Sequence, residues 1–138
     1  MVTVQKVFDA TINLMDEQAQ GNGMTMTEDT EEYKFRTVAI INVILPTLYP
    51  YSQYYIPGHQ PELLDTNKSA EEAFEQEVPI EECLAIGVLP YALAAHLVAG
   101  ENEELSAWFL NRYNNAFSQI INRLPASFEQ IATPYGLF

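Results

Sequence analysis

Two histidines, one cysteine and a set of paired carboxylates are the side chains in this chain with the chemistry to build a reactive site. His59 and His96 stand far apart, and neither has a second histidine one helical turn away. The spacing that lets two imidazoles on one helix face hold a zinc ion is therefore missing. His96 lies inside the apolar run Cys83 to Ala99, which predicts a buried imidazole bonded to a backbone carbonyl or to a tyrosine rather than a catalytic group. His59 falls in a loop with no assignable role. Cys83 follows Glu81 and Glu82 at a helix start, where the helix dipole lowers a thiol pKa and two carboxylates raise it. With no partner motif to make it a nucleophile, it is expected to be a core cysteine. A single cysteine also excludes an intrachain disulfide and a cysteine-based zinc site, and it fits a reducing cytoplasm.

The carboxylate pairs are Glu28-Asp29, Glu31-Glu32, Glu71-Glu72, Glu81-Glu82 and Glu103-Glu104. Neighbours on a helix point about 100° apart, so such pairs make neither a glycosidase couple nor a di-metal cage, and no Glu-x-x-His spacing accompanies them. Capping and solubility account for them. Gly21 and Gly23 are the only close glycines and lead into no strand-and-helix unit with a lysine, so a phosphate loop is not expected either. The expectation is a protein with no catalytic, cofactor-binding or metal-binding residues, and thus no enzyme.

Charge narrows the partners. Six lysines and arginines against nineteen aspartates and glutamates leave a formal charge of −13, and binding to duplex phosphates needs the opposite sign. Such a surface serves solubility, a decoy that mimics DNA, or the wall of a conduit through which DNA slides without sticking.

The elements that would position these residues are helices. Cys83 to Ala99 has one clearly polar side chain, His96, and a proline near its middle. An all-round apolar helix is either a bundle centre or a membrane span. A span needs roughly 20 unbroken apolar residues, and this run is shorter and flanked by glutamates, which favours a core helix. The start of the chain, Met1 to Glu17, has helical spacing in place of a charged start and a continuous apolar block, so no signal peptide is expected. Thr3 caps a first helix to about residue 19, with Val4, Val7, Phe8, Ile12, Met15 and Ala19 on one face; Gly21-Asn22-Gly23 stops it.

A second helix, about 28 to 48, starts from Thr27 or Thr30 and carries the stripe Tyr33, Thr37, Ile40, Ile41, Ile44 and Leu48. Val38, Val43 and Leu45 widen its apolar arc, so it should be largely covered, with Lys34, Arg36 and Asn42 on its wet side. Pro46 kinks it or ends it at Leu45. Residues 49 to 79 read as loop and connector. Tyr49, Tyr51, Tyr54 and Tyr55 lie among prolines that exclude a helix, and they form either a recognition surface or a lid on the core. The acidic stretch from Glu62 to Glu82 holds one capped turn, Ser69 to Phe74, and an extended Glu77-Val78-Pro79.

The third helix, about 80 to 99, takes Pro79 in its first turn and ends at Gly100. Asn102 caps a fourth, 102 to 123, in which Leu105, Trp108, Phe109, Tyr113, Ala116, Phe117, Ile120 and Ile121 give a clean apolar stripe. Arg112 falls inside that stripe, so its charge must reach outward or find a carboxylate. The expected fold is all-α: a four-to-five-helix bundle over 1 to 123, with a long acidic connector between helices 2 and 3. Residues 124 to 138 form an extended C-terminal tail, an arm for a partner or a strap across the bundle. Its apolar side chains Phe128, Ile131, Tyr135, Leu137 and Phe138, with Tyr51, Tyr54 and Tyr55, are the candidate subunit or partner contacts.

The segment Leu89 to Phe117 resembles the C-terminal helical hairpin of tailed-phage head-tail adaptor (connector or head-completion) proteins. The resemblance rests on Leu89-Pro90-Tyr91, Ala94-Ala95-His96-Leu97, the short acidic turn after Gly100, and Phe109 with Arg112-Tyr113. It covers about a fifth of the chain and makes Pro90, Tyr91, His96, Trp108, Phe109, Arg112 and Tyr113 a packing motif. It implies a non-enzymatic structural subunit that multiplies into a ring beneath the portal and links it to tail-completion proteins. The ring would sit at the head-tail junction of the virion and let DNA pass. Before assembly, or as a prophage product, the subunit would be in the bacterial cytoplasm, monomeric if the portal is the template. No cofactor, membrane or sequence-specific nucleic acid is implied. The alternative is a small acidic inhibitor or DNA mimic that binds a basic protein surface.

Overall fold

The computed structural model describes residues 2–21 and 30–122. Four long helices dominate: α1 (Val4–Gly21), α2 (Thr30–Leu48), α5 (Leu89–Val98) and α6 (Glu103–Asn122). Two short ones, α3 (Ala70–Phe74) and α4 (Glu82–Gly87), lie between α2 and α5. The fold is an all-α bundle. Its one strand pair among the described residues is antiparallel, β1 (Val2–Thr3) against β2 (Glu77–Val78), with Val2 opposite Val78. The Val4 amide extends that ladder by donating to the Gln76 carbonyl at 2.9 Å, which ties the start of α1 to the far end of the connector. The extended Glu77-Val78 was legible in sequence; its partner was not.

Local chemistry sets the helix ends. Thr3 Oγ1 accepts from the Lys6 amide, Ser69 Oγ from Glu72, and Asn102 Oδ1 from Leu105 at 3.0 Å, so three expected caps form. Val4, Val7, Phe8 and Met15 of α1 are buried, as are Tyr33, Ile41, Ile44 and Leu48 of α2. Two threonines share that core. Thr11 and Thr37 donate to the carbonyls of Val7 and Tyr33, each at 2.7 Å, which satisfies both hydroxyls without a partner helix. Helix α2 runs through Pro46 to Leu48, and one 3₁₀ turn, Tyr49–Tyr51, follows where the proline-rich punctuation predicts no helix at all. The Thr27 cap, the Gly21-Asn22-Gly23 stop beyond Gly21 and the tail lie outside the described residues.

The apolar run Cys83 to Ala99 departs from expectation. It forms two helices, broken at Val88 with φ −124° and ψ −51°. Pro90 is the cause: in a continuous helix its ring would meet the carbonyl four residues back. Restarting the helix at Leu89 places Pro90 in the first turn, where its missing N–H costs nothing. Pro79, predicted for that role, precedes Glu81 and the start of α4. Helix α5 is the centre of the bundle, with α1, α2, α4 and α6 packed around it, and eight of its ten residues are buried.

Candidate interaction surfaces

No group of three or more histidine, cysteine or acidic side chains that could hold a metal ion occurs among the described residues. The reactive side chains are on the surface. His96 is exposed, contrary to the buried imidazole expected, because the helices around α5 leave its one open edge there. Cys83 is exposed as well, on the first turn of α4, rather than in the core. Partial burial and then the neighbouring Glu81 carboxylate push its thiol pKa above the ordinary value, so the nucleophilic thiolate is suppressed.

The packing motif divides. Pro90 and Phe109 are buried, Tyr91 and Tyr113 half-buried, and His96, Trp108 and Arg112 exposed. Burial raises the Tyr113 phenol pKa, and its ring stacks on Phe117 at 5.8 Å. Arg112 is exposed and lies 4.9 Å over the Trp108 indole, a cation–π contact worth about 0.5–1 kcal/mol at an exposed site.

The tyrosine segment divides by residue into packed and exposed side chains. Tyr49 is buried; its hydroxyl donates to the Tyr54 carbonyl and accepts from the Ile56 amide, so it folds the loop around itself. Tyr51, a candidate contact, packs edge-on against Phe117 at 5.0 Å and closes the end of α6. Tyr54 and Tyr55 are exposed. Phe128, Ile131, Tyr135, Leu137 and Phe138 lie outside the described residues.

Helix α2 has an apolar outer line that the sequence reading missed. Phe35 is 81% exposed and Val43 70% exposed, with Ala39 between them at four-residue spacing. Val43 was expected to be covered; it lies opposite the buried stripe. The signal was present in the spacing of Phe35, Ala39 and Val43, which is a second helical row one face away from Tyr33 and Thr37. Beside this line runs an open groove of about 250 Å³, formed by Phe35, Val38, Ala39, Ala73 and Phe74 with Thr66 and Ser69, and carrying Lys34 and Lys68.

Two of the three residues assigned to the wet side of α2, Asn42 and Arg36, bond inward instead. Asn42 donates to the Leu64 carbonyl at 3.0 Å and accepts from the Leu64 amide at 2.8 Å, so one amide side chain replaces a strand partner for the connector. Arg36 donates to the Leu97 carbonyl at 3.1 Å and lies 5.6 Å over the Tyr33 ring, and its Nε is buried without a partner among the described residues. Its charge is therefore placed at the C-terminal end of α5, where the helix dipole favours a cation.

No helix among the described residues is long and apolar enough to cross a membrane. Comparison of the chain with known protein families, with curated proteins and with solved structures gave no match.

Proposed function

We propose that the chain is a non-enzymatic structural subunit of a phage or prophage head-tail connector, one copy of a ring that joins the portal to the tail. The observation that carries the reading is the α5–α6 hairpin. It spans the segment that resembles the adaptor family, opens on Leu89-Pro90-Tyr91, turns at Gly100-Glu101, and fixes Phe109 as the buried residue of α6. Exposed apolar side chains on two helices, Phe35 and Val43 on α2 with Trp108 and Leu110 on α6, supply surface for neighbours. The charge of −13 suits a wall past which DNA slides.

The reading is tested by electron microscopy of the protein mixed with the portal from the same phage or prophage. Rings on the portal vertex are expected. Absence of rings at every salt concentration, together with no effect of truncation after Arg123, removes the reading.

A further inference from the structure

We infer that the end of the chain, residues 123 to 138, is a strap in cis: it folds back over the half-covered apolar face of α6 between Tyr113 and Ile121 of the same molecule. Such a strap belongs to the isolated chain, whether or not the chain enters a ring.

Helix α6 outruns the helix it packs on. At 1.5 Å per residue α5 is about 15 Å long and α6 about 30 Å. The Ser106 hydroxyl donates to the Ala95 carbonyl at 2.8 Å, which fixes the register of the two. The start of α5 lies six residues before Ala95, and six residues after Ser106 is Arg112. The turns of α6 beyond Arg112 therefore run past α5, and α4 and Tyr51 cover them only in part. Burial records the shortage. Phe109 is the one buried residue of α6, while Tyr113, Ala116, Phe117, Ile120 and Ile121 are half-buried. An apolar helix stripe needs a facing element along its whole length, and this one has it for half.

The remaining chain supplies an element of the right length and composition. The sixteen residues after Asn122 lie outside the described residues; extended, they reach up to about 50 Å, against about 15 Å from Tyr113 to Asn122. Leu124, Phe128, Ile131, Tyr135 and Phe138 recur among them at four-and-three spacing, which gives the segment an apolar side. The match is apolar rather than ionic. From Leu105 to Phe138 the chain has one acidic side chain, Glu129, and two basic ones, Arg112 and Arg123; the other eighteen acids all precede Leu105. Laying this segment on α6 thus buries no row of carboxylates. Glu81 and Glu82 at the start of α4 border the site, and Glu81 accepts from the Gln53 amide at 3.3 Å. Tethering favours the chain's own tail over a neighbour's. It raises the effective concentration at the face, whereas a second copy must first approach against the repulsion of two chains at −13.

Hydrogen exchange of the full chain, compared with Phe128→Asp and Ile131→Asp, tests the strap. Neither residue belongs to the described core, so the bundle should stay folded in both. Amides from Tyr113 to Ile121 should exchange about tenfold or more faster in each variant, because each loses the burial of a large apolar side chain. Helices α1, α2 and α5 should keep their rates. Deleting 124 to 138 should give the same acceleration in α6, and protection of α6 in the unaltered chain should not change on dilution. Protection that is lost on dilution overturns the strap in favour of a second copy's tail. Unchanged α6 rates in all three variants overturn it outright, as does equal acceleration throughout the bundle. Acceleration along Phe35 to Val43 of α2 in place of α6 puts the tail in the groove there and also overturns it. No portal enters these measurements, so failure of the strap leaves the assembly reading to its own test.

Discussion

The Tyr33 hydroxyl donates to Glu101 Oε2 at 2.5 Å, joining the first full turn of α2 to the turn between α5 and α6, 68 residues away in sequence. Tyr33 is wholly buried, while Glu101 stands at the surface, so the phenol carries a surface carboxylate's bond down to the core.

Replacing Tyr33 with Phe keeps the packing of the ring and removes the hydroxyl that bonds Glu101. A hydrogen bond to a charged group contributes about 1.5–3 kcal/mol, and the exposure of Glu101 puts the expected loss at the lower end. Urea unfolding should show a lower midpoint at unchanged slope.

Asn42 is the corresponding bracket for the connector, holding both backbone groups of Leu64. Asn42→Ala leaves a buried amide and carbonyl to find water, and should cost about 1–3 kcal/mol. Hydrogen exchange at Leu64 and its neighbours should speed up more than exchange in α5, because the opening is local. Uniform acceleration over the whole chain would count against it.

Trp108 and Phe109 are adjacent in sequence and differ sharply in burial. Phe109→Ala removes a fully buried ring and should destabilise by about 3–5 kcal/mol, whereas Trp108→Ala in the isolated chain should cost about 1 kcal/mol or less. Thermal unfolding at low protein concentration separates the two.

Cys83 should alkylate slowly at neutral pH although it is exposed, because partial burial and the Glu81 carboxylate both favour the protonated thiol. The midpoint of the rate against pH should lie above that of the unfolded chain's thiol, since a raised pKa delays formation of the thiolate. Glu81→Gln should lower the midpoint part of the way, leaving the part due to burial.

Gly58 has φ of +83°, and a Cβ added there would touch nothing within 4 Å. Gly58→Ala therefore carries only the cost of left-handed backbone, about 1–2 kcal/mol, and Gly58→Asn should cost less. Equilibrium unfolding of the two variants gives the comparison.

Sequence alone determined the helices whose evidence is local. Caps at Thr3, Ser69 and Asn102 bond amides three residues onward, and the apolar spacing of α1 and α6 repeats within a few turns, so neighbouring residues carry the information. The α5–α6 hairpin was legible for the same reason. The exposure of α2's second row was decided by tertiary structure. Cys83, His96 and Val43 all looked like core residues because apolar neighbours surround them in the chain, but which edge of a helix meets water depends on how many partners pack around it. Asn42 and Arg36 looked like solvent contacts for the opposite reason, and are drawn inward by the carbonyls of Leu64 and Leu97, which only the folded chain brings within reach. The groove beside α2 has the same origin. Its floor comes from α2 and from α3 within the connector, so no spacing within either could announce it, and folding turns Lys68 back to the same groove as Lys34.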